Sequence, residues 1–183
     1  ILDLSLVSLG RMRLVPSQVD LKLLMQSTLE SALPLAQSKN LTIQITTADD
    51  EAEVVGDASR LQQVLINLLG NAIKFTPADG RVDILLARTQ KGYTFSFIDT
   101  GIGIDSDFLP FVFDRFRQAD CSISRSYGGM GLGLALVDHI VRLHGGTVRA
   151  ESEGKNCGTS IIVDLPLFSP VEQKSAILAP VIF

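Results

Sequence analysis

The chain has 183 residues, 46% of them apolar and 20% charged, and a net charge of −4. This composition supports a domain with a sizeable core plus an appendage, and excludes wholesale disorder. The acidic balance, without a long basic run, argues against a dedicated nucleic-acid surface. Cys121 and Cys157 are far apart and belong to no CxxC or Cys/His cluster, so two free thiols in a reducing compartment are expected. No apolar run reaches membrane-spanning length and no signal-peptide pattern opens the chain. A cytoplasmic piece is therefore expected, whether or not its parent is membrane-anchored.

In chain order, residues 1–9 form an apolar, serine-spaced segment without a cap, which reads as the end of a longer helix stopped at Gly10. Residues 13–19 are extended and interrupted by Pro16. Asp20 caps a helix expected over 21–38, with Leu21, Leu24, Met25, Leu29 and Leu33 on one face and a kink or an end at Pro34. Residues 41–47 alternate as a half-buried strand, and 52–56 form a short strand. Asp57 caps a helix that should run to Phe75, because Thr76-Pro77 is a stop signal. Leu61, Leu65, Leu68, Leu69 and Ala72 share its apolar face. Arg60, Gln63, Asn67, Asn71 and Lys74 fall on an opposite arc. A polar arc is ordinarily a solvated face, so from this helix alone a site and a surface are equally good readings.

Residues 81–88 and 93–98 are strands joined by a turn at Gln90-Lys91-Gly92, an antiparallel hairpin. Residues 101–133 are long, glycine-bearing and irregular, with one short helix expected near 109–116; loops of this length in compact domains are usually functional. Phe108, Phe111, Phe113 and Phe116 are expected to dock part of a gate covering 106–127. A helix follows over 130–143, ended by Gly145-Gly146, and strands 147–151 and 160–165 make a final hairpin closed by Pro166. Helices and antiparallel strands without regular β-α-β alternation predict an α/β sandwich, an α+β fold with one mixed, mostly antiparallel sheet and helices on one face. Residues 169–183 carry two prolines and a terminal apolar cluster, and read as a tail or linker.

Two glycine stretches change the balance for the polar arc. Asp99-Thr100-Gly101-Ile102-Gly103 closes a strand. A buried carboxylate there can accept from an exocyclic amine, and the glycines let a flat ring approach the backbone. The rival Asp-Thr-Gly of aspartic proteases needs two such aspartates in an almost all-β chain. Gly128-Gly129-Met130-Gly131-Leu132-Gly133 opens a helix, where bare N–H groups form an anion site. Its GxGxG spacing is not the dinucleotide fingerprint, and no GxxxxGK[ST] occurs. Taken together, an amide-bearing helix suited to hydrated Mg²⁺, a lysine point charge, a phosphate cradle and an aminopurine acceptor are the inventory of an ATP site.

The order Asn67/Asn71, Asp99-x-Gly-x-Gly, Phe113-x-x-Phe116, Gly129-x-Gly131-x-Gly133, Gly158-Thr159 resembles the N, G1, F, G2 and G3 boxes of sensor histidine kinases. Their ATP-binding domain has the Bergerat (GHKL) fold, and the match covers about residues 19–166. FDRFRQAD followed by SRSYGGMGLGLAL is most similar to the hybrid-type kinases. The resemblance implies that Asn71 is the Mg²⁺ ligand, that Asn67 supports the metal-phosphate geometry, and that Lys74 contacts phosphate. It implies that Asp99 binds the adenine amine, with Gly101, Gly103 and Thr159 beside the ring. Gly129, Gly131, Leu132 and Gly133 would offer phosphate-facing backbone, and Arg125 and Tyr127 would reach the nucleotide from the lid. Met130 stands where the family usually has threonine.

By the same resemblance residues 1–12 are the end of a dimerization and phosphoacceptor helix, 13–168 the ATP-binding catalytic domain and 169–183 a tail. Neither His139 nor His144 is followed by an acidic residue, as the family's phosphoacceptor is, so both are expected to be structural. The implied activity is transfer of the ATP γ-phosphate to a histidine of the dimerization domain, for relay to a response-regulator aspartate, in a homodimeric parent. An ATP hydrolase of the same fold and a non-catalytic nucleotide-gated module are the alternatives; Met130 alone favours the latter.

Overall fold

A computed structural model describes residues 12–47, 52–117 and 131–167. In chain order the elements are β1 (Ser17–Asp20), α1 (Leu21–Ser38), β2 (Thr42–Thr47), β3 (Glu53–Gly56), α2 (Ala58–Phe75), β4 (Arg81–Arg88), β5 (Gly92–Asp99), α3 (Gly133–Leu143), β6 (Thr147–Glu151) and β7 (Thr159–Pro166). The expected helix end at 1–12 falls almost wholly, and the expected tail or linker at 169–183 wholly, outside the described residues.

Helix α1 starts where expected, because the Asp20 carboxylate accepts the N–H groups of Lys22 and Leu23. It neither ends nor divides at Pro34, which lies inside one continuous helix. Proline removes the donor for the carbonyl of Glu30. Glu30 and Pro34 are both exposed, so water can take that acceptor. The buried face also differs from the leucine pattern: Leu33 is exposed, whereas Thr28 is buried. The Thr28 hydroxyl donates to Leu24 O at 2.8 Å, so its polar atom enters the core already paired.

Helix α2 has the expected bounds. Asp57 accepts the Arg60 N–H at its start, and at its end both the N–H and the hydroxyl of Thr76 donate to Ala72 O. Leu61, Leu65, Leu68, Leu69 and Ala72 are all buried, joined by Val64 and Ile73. They pack over the inward residues of a five-stranded sheet ordered β2-β4-β5-β7-β6, among them Val82, Ile84, Phe95, Phe97 and Val163. Strands β2 and β4 are parallel and the other neighbours antiparallel, including the hairpins β4–β5 and β6–β7.

Three expectations need correction. Strands β1 and β3 do not enter this sheet; they pair with each other as a separate antiparallel ribbon. Helix α3 begins at Gly133, because Gly131 takes a left-handed φ of 67° that no helix contains. The helix near 109–116 is only a 3-10 turn, Leu109–Phe111, and two of its four docking phenylalanines are exposed: Phe111 at 39% and Phe116 at 75%.

His144 closes the core between α3 and α2. Its Nδ1 faces Ile140 O at 2.8 Å, and its Nε2 accepts the Asp57 N–H at 3.0 Å. That pairing requires the neutral ring with the proton on Nδ1. Burial pushes its pKa below the usual 6.5. The unfolded chain therefore binds the proton more tightly, and folding stability must fall as pH drops below about 6.5. Denaturant midpoints measured downward from neutral pH should show this fall, and His144→Gln should reduce it. A flat profile shared by both proteins would refute the assignment.

Candidate nucleotide-binding site

The polar arc of α2 is half-buried along its length. Arg60 Nη1 donates to Gln63 Oε1 at 3.0 Å, and Asn67 Nδ2 donates to Gln63 O at 2.8 Å. The second bond orients the Asn67 amide, leaving its oxygen turned to the start of α3. A Cβ placed on Gly133 would lie 2.8 Å from Asn67 Oδ1 and 4.0 Å from Asn71 Nδ2. Glycine at 133 is thus what allows the amide arc and the helix start to meet. Leu132 occupies the N-cap of α3 without a side-chain hydrogen bond to the first turn. First-turn N–H groups of a helix are suited to an anion. Ahead of it, Gly131 O accepts the Phe116 N–H at 3.0 Å. Lys74 lies over the Phe75 ring, 4.6 Å from its centroid, and burial lowers its pKa.

Asp99 ends β5, in register with Thr159 of β7. Burial pushes its pKa up, opposed by hydrogen bonds from the Gly101 and Thr159 N–H groups. The first is 2.8 Å long. Gly101 is wedged between two acceptors, since a Cβ there would sit 2.6 Å from both Asp99 Oδ1 and Phe75 O. Gly103 has φ 65° and would drive a Cβ into Gly154 O. The loop is sewn to the β6–β7 turn by Asn156 N–H on Ile102 O at 2.7 Å and Gly158 N–H on Gly101 O at 3.1 Å. Ser152 Oγ accepts the Ile104 N–H at 3.0 Å and donates to Gly158 O at 2.7 Å.

The structure therefore groups Asn67, Asn71 and Gly133 on one side, and Asp99, Gly101, Gly103 and Thr159 on the other. The two groups are joined where the Ile102 N–H meets Phe75 O at 3.1 Å, at the end of the helix that carries Lys74. Arg125, Tyr127, Gly129 and Met130 lie outside the described residues. Ser152 and the Phe75 carbonyl were not found by sequence reasoning. A serine just after a strand and before a glycine turn was the only signal for the first, and a backbone acceptor leaves none.

The sheet with helices packed on it is an α/β sandwich, and a carboxylate at a strand end, an amide-bearing helix and a glycine-opened helix start make its candidate site. The family described as histidine kinase-, DNA gyrase B- and HSP90-like ATPases matches residues 56–169, and the chain belongs to that family. It is 39% identical to hybrid signal transduction histidine kinase D of Dictyostelium discoideum, over 91% of this chain and 13% of that protein. It is 42% identical to the circadian input-output histidine kinase CikA of Thermosynechococcus vestitus, over 92% of this chain and 23% of that protein. The chain thus spans less than a quarter of the length of either relative. The solved structure of full-length ShkA in complex with AMPPNP superposes with a TM-score of 0.75 at 30% identity, covering 86% of this chain and 32% of that one. No helix among the described residues is long and apolar enough to cross a membrane.

Proposed function

We propose that this chain is the ATP-binding catalytic domain of a cytoplasmic sensor histidine kinase. It transfers the γ-phosphoryl group of ATP to a histidine on the dimerization domain of a homodimeric parent, for relay to the receiver domain of a response regulator. The imidazole nitrogen forms a bond to the γ-phosphorus as the bridging oxygen bond to ADP breaks. Such transfer depends on positioning and charge stabilisation more than on covalent help from the protein.

The observation that carries the reading is Asn67, one turn before Asn71 on the same arc and oriented by Gln63 O toward the α3 start. An amide can orient a ligand, but it cannot take a proton from water near neutral pH. A neutral imidazole is already nucleophilic and needs no such base. This favours a kinase over a hydrolase of the same fold. The acceptor is not His144, whose two ring nitrogens are engaged inside the core.

Mg²⁺ fits the donor set. The Asn67 and Asn71 amides offer neutral oxygens on one arc of α2, and Mg²⁺ is commonly held by few protein oxygens, substrate phosphates and water. Asn71 would supply the protein oxygen and Asn67 would steady it. When bound, the ion neutralises charge on the phosphates. Lys74 and the α3 N–H groups hold the phosphate chain, and Asp99 accepts from the adenine amine.

The chain incubated with ATP should form no phosphohistidine and turn over negligible ATP. Mixed with its parent's dimerization domain, it should label that domain. Robust metal-dependent hydrolysis by preparations free of contaminating ATPase would favour the hydrolase instead.

A further inference from the structure

The ammonium of Lys39, at the end of α1, reaches the C-terminus of α2. It donates to Ile73 O at 2.7 Å, to Lys74 O at 3.0 Å and to Thr76 O. The last carbonyls of a helix have no intrahelical partner, and a cation there also complements the negative end of the helix dipole. The neighbouring carbonyls are taken as well: Ala72 O by Thr76 and Phe75 O by the Ile102 N–H. Lys39 thus completes a cluster in which every carbonyl from residue 72 to 76 is paired. One bond of that cluster is the joint to the loop beside Asp99.

A second route starts from the same residue. Lys39 O accepts the Asp79 N–H at 3.0 Å, and the adjacent Asn40 Nδ2 donates to Asp79 Oδ1 at 2.7 Å. The turn they hold leads into Arg81, whose N–H donates to Thr100 Oγ1 at 2.9 Å and whose carbonyl accepts the Thr100 N–H at 3.0 Å. Both routes end on residues 100–102. There the Gly101 N–H donates to Asp99 Oδ1 at 2.8 Å, and a Cβ on Gly101 would lie 2.6 Å from both Phe75 O and that carboxylate oxygen.

Resting on the ATP-binding reading above, we propose that Lys39 is a positioning residue for the nucleotide site. It acts through the α2 carbonyls, fixing the phosphate-side end of α2 relative to Asp99 on the adenine side. A side chain without a donor would leave three carbonyls without the one Lys39 supplies. The last turn of α2 would then fray, and Phe75 O would loosen its hold on Ile102.

The test uses the whole chain. ATP affinity is measured calorimetrically for wild type, Lys39→Met and Lys39→Arg, well below their unfolding temperatures, with amide hydrogen exchange at Ile102 followed in parallel. Lys39→Met should weaken ATP binding by about 2- to 30-fold, the range expected for indirect coupling. It should also speed exchange at Ile102, and Lys39→Arg should restore most of both. If Lys39→Met does not fold, Lys39→Gln, which keeps donors but no charge, replaces it in the comparison. A purely structural lysine would lower the unfolding temperature while leaving affinity and Ile102 exchange unchanged, and that result would overturn the proposal alone. A wild-type chain that binds no ATP would overturn the functional reading and this inference with it.

Discussion

Asp99→Asn should weaken ATP binding by about 10- to 100-fold, since a hydrogen bond to a charged acceptor contributes about 1.5–3 kcal/mol. A carboxylate offers only acceptors, whereas an asparagine offers one oxygen and one NH₂. Asp99 already receives the Gly101 and Thr159 N–H groups. The Gly101 N–H donates to Asp99 Oδ1. If the substituted amide keeps its oxygen there, its NH₂ replaces the second acceptor oxygen; if it flips, its NH₂ meets the Gly101 donor. Either way the charge and one acceptor are lost. The same assignment predicts a pH dependence. Burial raises the Asp99 pKa above 3.8, so on acidification the charged acceptor is lost earlier than an ordinary carboxylate would be. Calorimetric titration with ATP and GTP checks both points. Equal affinities for the two nucleotides, untouched by the substitution, would remove adenine from this position.

Asn71→Ala should abolish the contribution of Mg²⁺. Phosphotransfer to the dimerization domain should fall by about 100- to 1,000-fold, the usual cost of removing one preorganised group that stabilises developing charge. The fold should tolerate the change, because alanine is the better helix former and Asn71 is only half-buried on the polar arc of α2. Thermal unfolding should therefore be unchanged or shifted upward. Metal-free ATP affinity should change little, while the gain in affinity on adding Mg²⁺ should disappear. Normal phosphotransfer together with a normal metal response would show that Asn71 is not the ligand.

Much of the scaffold follows from local chemistry in the sequence. Helix α2 could be bounded from its caps, because Asp57 and Thr76 act on backbone groups within four residues of themselves. Its buried face followed from periodicity, and the β4–β5 hairpin from two strand patterns joined by a short turn. The candidate site residues Asn67, Asn71, Asp99 and the glycines could be proposed from the sequence only in combination, since the polar arc of α2 by itself reads equally well as a solvated face. At Gly103 the left-handed φ and the contact with Gly154 O admit no side chain.

The pairings that depend on distant segments carry no local signal, and only the tertiary structure decided them. Strand β2 looks like any half-buried strand, yet it lies parallel to β4, and β3 leaves the main sheet to pair with β1. Burial of Thr28 over Leu33 depended on which stripe of α1 met α2, and the satisfied Thr28 hydroxyl made that stripe acceptable. His144 and the Asp57 N–H are 87 residues apart in the chain, and Lys39 lies 34 to 37 residues from the carbonyls it caps. Sequence alone singled out the side chains proposed to meet a nucleotide, because that choice rests on residue type and short-range spacing. The folded core determined how those side chains are held against one another, because a backbone carbonyl becomes part of the site only when another segment is packed beside it.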